Sequence, residues 1–144
     1  MRAATLASET DFDGWRQAAR AFRLEGVEPA QARFVVDGAG EGGLFDAPAP
    51  ATAANGEFTV SKAFVDVARD VVLHRSGDRW DLLYRLLWRL RDEPDLMKVV
   101  SDRDVADALE RAKNVSRAGH KMKAFVRFRQ VEDEGGEAWV AWFE

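Results

Sequence analysis

At 144 residues the chain suits one domain, long enough to bury a core without covalent staples. It has no cysteine, which excludes disulfides, thiolate zinc sites and cysteine-ligated iron–sulfur clusters within this stretch and fits a reducing compartment. Its 21 Lys/Arg and 25 Asp/Glu leave a net charge of −4 and a pI near 5.3, so a polyanion must be met by a local patch and not by global attraction.

The opening MRAATLASETDFDGW reaches an acid at Glu9 before any uninterrupted apolar core forms, unlike a secretory or transit signal. No run approaches the ~20 apolar residues of a membrane span. The expected setting is cytoplasmic, without a membrane partner. Residues 3–7 read as a short strand, and Thr10 offers an N-cap with Asp13 three residues on. Phe12, Trp15, Ala19 and Phe22 recur at helical spacing, and Gly26 and Pro29 close that helix. Residues 33–36 read as a second strand. Strand, helix and strand at this spacing suggest a right-handed β-α-β unit over residues 1–37 with parallel strands.

Residues 38–56, GAGEGGLFDAPAPATAANG, are rich in Gly, Ala and Pro and read as a linker. Gly38, Gly40 and Gly43 fit G-x-G-x-x-G after a strand, but Pro48 and Pro50 follow where a dinucleotide fold needs a helix N-terminus. The linker reading is therefore preferred.

Residues 57–144 hold helices and then a hairpin. Residues 58–60 suggest a short strand, Ser61 an N-cap, and Phe64, Val65, Ala68, Val71 and Val72 a buried helix face ending near His74. WDLLYRLLWRL at 80–90 is apolar except for Asp81, Arg85 and Arg89 on one narrow stripe, so that helix is expected to be almost wholly enclosed. Residues 92–94 break it. Val105, Leu109, Ala112 and Val115 define a further amphipathic helix.

Residues 123–131 alternate, with Ala124, Val126 and Phe128 on one face and Lys123, Phe125, Arg127 and Arg129 on the other. EDEGGE at 132–137 reads as a turn, and residues 138–143 return as the second arm. The expected class is α+β: a small mixed sheet with an N-terminal β-α-β unit, a helical middle and a C-terminal β-hairpin.

Charge is segregated along this chain. Residues 111–130 carry seven Lys/Arg and no acid, so a net −4 less +7 leaves −11 for the remainder. A basic surface in an acidic protein points to an anionic partner, nucleic acid foremost. The candidate contacts are Arg117, His120, Lys121, Lys123, Phe125, Arg127 and Arg129. Arg127 and Arg129 would be the forked phosphate ligands, Lys121 and Lys123 the point charges, and Phe125 a stacking platform. The competing reading has Phe125 buried and the cations merely protecting a strand edge or pairing with Glu132, Asp133, Glu134 and Glu137.

His74 and His120 are the only histidines and lack metal-ligand spacing. His120 beside Lys121 suits phosphate contact or a hydrogen bond closing a helix, while His74 suits a helix C-terminus. Trp15, Trp80, Trp88, Trp139 and Trp142 sit in hydrophobic elements and read mostly as core. Arg85 and Arg89 need solvent or carboxylate partners, and either extend the patch or form internal ion pairs. No nucleophile–base pair, carboxylate dyad or metal set stands out, so an independent enzyme ranks behind a binding role.

LHRSGDRWDLLYRLLWRL (residues 73–90) and HKMKAFVRFRQVEDEGGEAWVAWFE (residues 120–144) resemble a bacterial family of domains of unknown function described as DNA-metabolism proteins. The resemblance is strongest over residues 58–144. That family occurs alone or fused ahead of the type X uracil-DNA glycosylase, and is associated with a radical-SAM protein of DNA repair. The resemblance implies the N-terminal part of a longer glycosylase fusion, whose iron–sulfur cluster and catalytic motifs would lie beyond Glu144. It names no catalytic residue here and implies no cofactor in these 144 residues. Two functions follow as expectations. One is an accessory domain that binds DNA weakly and with strong salt dependence. The other is a module docking a glycosylase or radical-SAM partner, for example through Leu44 and Phe45 or a hairpin edge.

Overall fold

The computed structural model describes residues 1–37, 58–125, 127–133 and 136–142, with backbone alone for those of them from residue 124 on. The expected linker at 38–56, with Leu44 and Phe45, lies outside the described residues. In chain order the elements are β1 (Arg2–Leu6), α1 (Phe12–Leu24), β2 (Ala32–Val36), α2 (Lys62–Val72), α3 (Arg79–Arg89), α4 (Arg103–Phe125), β3 (Arg127–Asp133) and β4 (Gly136–Trp142). Short 3-10 turns at Pro29–Gln31 and Leu96–Lys98 join them.

The fold is α+β and strongly helical. β1 and β2 pair in parallel, Ala4 opposite Phe34 and Leu6 opposite Val36. Strand alternation turns Ala4, Leu6, Phe34 and Val36 toward the helices, and leaves Ala3, Thr5, Arg33 and Val35 exposed. β3 and β4 pair antiparallel. Among the described residues the expected mixed sheet is therefore two separate two-stranded sheets, one parallel and one antiparallel.

Asp11, not Thr10, caps α1. Its Oδ1 accepts from the Gly14 N–H at 2.9 Å and its Oδ2 from the Ala7 N–H at 3.0 Å, while the Thr10 hydroxyl turns to Ser8. A Cβ on Gly14 would run into that carboxylate. Gly26, at φ +76°, adopts the left-handed conformation that ends the helix. Ser61 caps α2 as expected, accepting from the Phe64 N–H at 3.3 Å. The segment 58–60 before it forms no strand, because Phe58 and Val60 pack on the core without a ladder partner.

α3 runs through the middle of the core. Leu82, Leu83, Tyr84 and Leu86 have no exposed surface, which accounts for its nearly unbroken apolar sequence. Trp80 stacks on Trp15 of α1 at 6.3 Å, and Phe34 of β2 meets Tyr84 edge-on at 5.6 Å. The Tyr84 hydroxyl donates to the Val27 carbonyl at 2.7 Å. Trp15 and Trp80 are core as expected, and Trp88 is half-buried.

The largest departure from the sequence expectation lies at 123–131. α4 continues through Phe125, and the strand starts only at Arg127. Ala118, Lys121, Met122, Lys123 and Ala124 are strong helix formers and carry the helix past the point where alternation begins. Lys123 and Phe125 are thus helical and do not share a strand face with Arg127. The expected turn at 132–137 is also shorter, since Glu132 pairs with Glu137 and Asp133 with Gly136.

Candidate nucleic-acid interface

α4 has two halves. In the first, Val105, Ala108 and Ala112 are buried against α2 and α3, and Leu109 and Val115 are half-buried on the same side. Asp102 caps it, its Oδ1 accepting from the N–H groups of Asp104 at 3.0 Å and Val105 at 3.2 Å. In the second half Ser116, Arg117, Ala118, His120, Lys121, Met122 and Lys123 are all exposed, and only Gly119 is partly covered.

On that helix Lys113, Arg117 and Lys121 follow one another at spacings of four, which makes a stripe about 12 Å long on the side away from Val105, Ala108 and Ala112. His120 and Lys123 flank it. Among the described residues none of these four Lys/Arg side chains has a carboxylate within ion-pair distance. Like charges four apart cost roughly 0.2–0.5 kcal/mol each in helix stability. The helix dipole favours cations, but only in the last turn. Local helix energetics alone do not explain the stripe.

Three arginines of α3 and the first half of α4 are committed. Arg89 makes a bidentate pair with Asp102 at 3.0 and 2.7 Å and reaches Glu93 at 3.1 Å, and Arg85 reaches Asp104 at 3.3 Å. These arginines lock α3 to the start of α4 and do not extend the patch. The hydrogen bonds from Arg89 hold the Asp102 carboxyl down to about 2. Arg111, the first cation of the basic stretch, is committed as well. It bonds Asp78 at 2.8 and 3.1 Å, Asp107 at 2.7 and 3.0 Å, and the Ser76 hydroxyl at 2.7 Å. Its hydrogen bonds hold the Asp78 carboxyl below the ordinary carboxylate range.

Arg117, His120, Lys121 and Lys123 therefore lie together, exposed, on one end of α4. They line an open groove of about 690 Å³ with Val115, Ser116 and Gly119, and Asp70 of α2 forms its other wall. Arg127 and Arg129 stand two apart on β3, with backbone positions opposite Trp142 and Val140. The side chains of Phe125, Arg127 and Arg129 lie outside the described residues. Sequence inspection missed Lys113 and Asp70. The four-residue spacing of Lys113, Arg117 and Lys121 was visible in RAKNVSRAGHK once read as helix, but nothing local pointed to Asp70, 47 positions before Arg117. His74 closes α2 as expected, its N–H bonding the Val71 carbonyl at 2.9 Å while its Nδ1 meets Ser76 at 2.9 Å. Among the described residues no group of His, Asp or Glu is arranged to hold a metal, and no helix is long and apolar enough to cross a membrane.

With this geometry fixed, comparison places the second half of the molecule. Residues 77–144 match a domain of unknown function, DUF4130. The matched segment holds α3, α4 and the hairpin, and so carries Asp78, Arg111 and the whole basic stripe, while β1, α1, β2 and α2 precede it. No curated protein and no solved structure matches the chain.

Proposed function

We propose that this chain is an accessory nucleic-acid-binding domain that contacts phosphates through the second half of α4. The observation that carries the reading is the contrast between two sets of cations. Arg85, Arg89 and Arg111 are consumed by carboxylates, whereas Lys113, Arg117, Lys121 and Lys123 stand exposed along the second half of α4 with no carboxylate partner among the described residues. A stripe of that kind on a protein of net charge −4 is an electrostatic footprint for a phosphate backbone. The resemblance to DNA-metabolism domains supports DNA as the partner and DNA repair as the setting, with a uracil-DNA glycosylase or radical-SAM protein as the enzyme served. The cysteine-free residues present do not fit an iron–sulfur cluster, so chemistry of that kind belongs to such a partner.

Docking of a repair enzyme is the second reading. Val99 and Val100, 47% and 67% exposed in the loop before α4, favour it. Fluorescence anisotropy of a labelled oligonucleotide at two salt concentrations separates the two. Phosphate contact predicts weak binding that falls steeply with salt. Absent or salt-insensitive binding moves the weight to the docking reading.

A further inference from the structure

Asp70 is out of place in a groove built for phosphate. It sits on the exposed side of α2, and it lines the same groove as Arg117, His120, Lys121 and Lys123. Among the described residues its carboxylate has no ion-pair partner and no side-chain hydrogen bond. The neighbouring acid on α2, Asp66, has Lys62 at 4.0 Å, so Asp70 is not drawn into the same surface pairing. A carboxylate in this position repels a ligand made of anionic groups alone. As an ionised acceptor, it attracts a ligand that carries a hydrogen-bond donor beside its phosphate.

Resting on the phosphate-contact reading above, we propose that Asp70 determines the specificity of the groove: it selects strands that present a donor group next to the backbone and disfavours plain polyanions. A nucleic-acid strand offers three kinds of donor: the exocyclic amino group of a base, the ring imino N–H of thymine, uracil or guanine, and the ribose 2′-hydroxyl. The cations of α4 hold the phosphates, and the carboxylate across the groove tests what lies next to them. Phosphate contacts set register and base-edge or sugar contacts set preference, so the two walls divide these roles between α4 and α2.

The test compares wild type, Asp70→Asn and Asp70→Ala of the 144-residue chain against four fluorescent probes: inorganic polyphosphate and 12-mers of deoxycytidine, deoxythymidine and uridine at pH 8. Deoxythymidine offers only its ring imino N–H, deoxycytidine has an exocyclic amino group in its place, and uridine keeps the imino N–H and adds the 2′-hydroxyl. Wild type is expected to discriminate among the three oligonucleotides and to bind polyphosphate, the one probe without a donor, poorly. Both variants are expected to bind polyphosphate roughly two- to five-fold more tightly, the scale of one exposed charge interaction, and to lose the preference among the oligonucleotides. Which oligonucleotide wild type favours identifies the donor. Equal tightening for all four probes in both variants would overturn the specificity role and leave phosphate contact standing. If wild type binds none of the four, the phosphate-contact reading itself fails.

Discussion

Arg111 of α4 and Asp78 at the start of α3 meet in a two-pronged pair, Nη1 to Oδ1 at 2.8 Å and Nη2 to Oδ2 at 3.1 Å. The Arg111 side chain is only 13% exposed and also holds Asp107 and Ser76, so one guanidinium ties the α2–α3 turn to α4. Arg111→Ala is expected to cost about 1–3 kcal/mol, because it strips charge-assisted hydrogen bonds from three partners at once. Melting should show the loss, while oligonucleotide affinity measured well below the transition should hold. Lost affinity with an unchanged melting temperature would return Arg111 to the binding surface.

Acid should unlock the α3–α4 junction. The Asp102 carboxyl is held at about 2 when folded, below its ordinary 3.8, first by the hydrogen bonds from Arg89 and then by the Val105 N–H. A depressed folded value means that this carboxylate stabilises fully above about pH 4, and that its contribution disappears as pH falls through about 2. Asp78, lowered in the same direction, adds to the slope. Urea melts between pH 5 and pH 2 should show stability falling across that window. Asp102→Asn, which keeps a capping side chain, should flatten the fall, and an equally steep fall in that variant would assign the acid sensitivity elsewhere.

Much of the fold was legible because periodicity reports burial directly. Phe12, Trp15, Ala19 and Phe22 placed α1, and the apolar run at 80–90 announced α3 as the enclosed helix. The end of α4 was not legible. KMKAFVRF satisfies strand alternation and helix propensity together, and the choice falls at Phe125 through continuation of a helix already formed. The binding face was half legible for the same reason: charge density along the chain located it, but only the helical turn shows that Arg111 faces Asp78 while Arg117 and Lys121 face away. Asp102 as a cap and Asp70 as a groove wall depend on contacts between distant segments, which no local pattern carries.

Arg79 is 4% exposed, and its guanidinium donates to the carbonyls of Val72 at 3.1 Å, Ser76 at 2.7 Å and Glu9 at 2.7 Å. It joins the end of α2 to the loop before α1 and lies over the Trp80 ring. Arg79→Met keeps the bulk and removes every donor, which leaves partly buried carbonyls unsatisfied at a cost of about 2–4 kcal/mol. A chemical-denaturation midpoint within error of wild type would show that water replaces the guanidinium without penalty.

Gly119 lies inside α4, and a Cβ built on it meets nothing within 4 Å. Gly119→Ala should therefore stabilise by about 0.5–1 kcal/mol, since alanine loses less backbone entropy in a helix. Thermal melting checks the sign, and a lower midpoint would mean that the helix is not continuous at that position.

The most direct test of the interface reverses charge in two places. Arg117→Glu with Lys121→Glu alters the stripe, and Lys62→Glu with Lys98→Glu makes the same change in net charge on other exposed segments. For a single-stranded DNA oligonucleotide the account predicts that the α4 pair loses more than about tenfold in affinity and reduces the salt-dependence slope by more than ~1.4, the share of two phosphate contacts, at an unchanged melting temperature. The control pair should stay within about threefold of wild type. Equal losses in both variants, or intact binding by the α4 pair, would contradict the claim that this helix end is where nucleic acid binds.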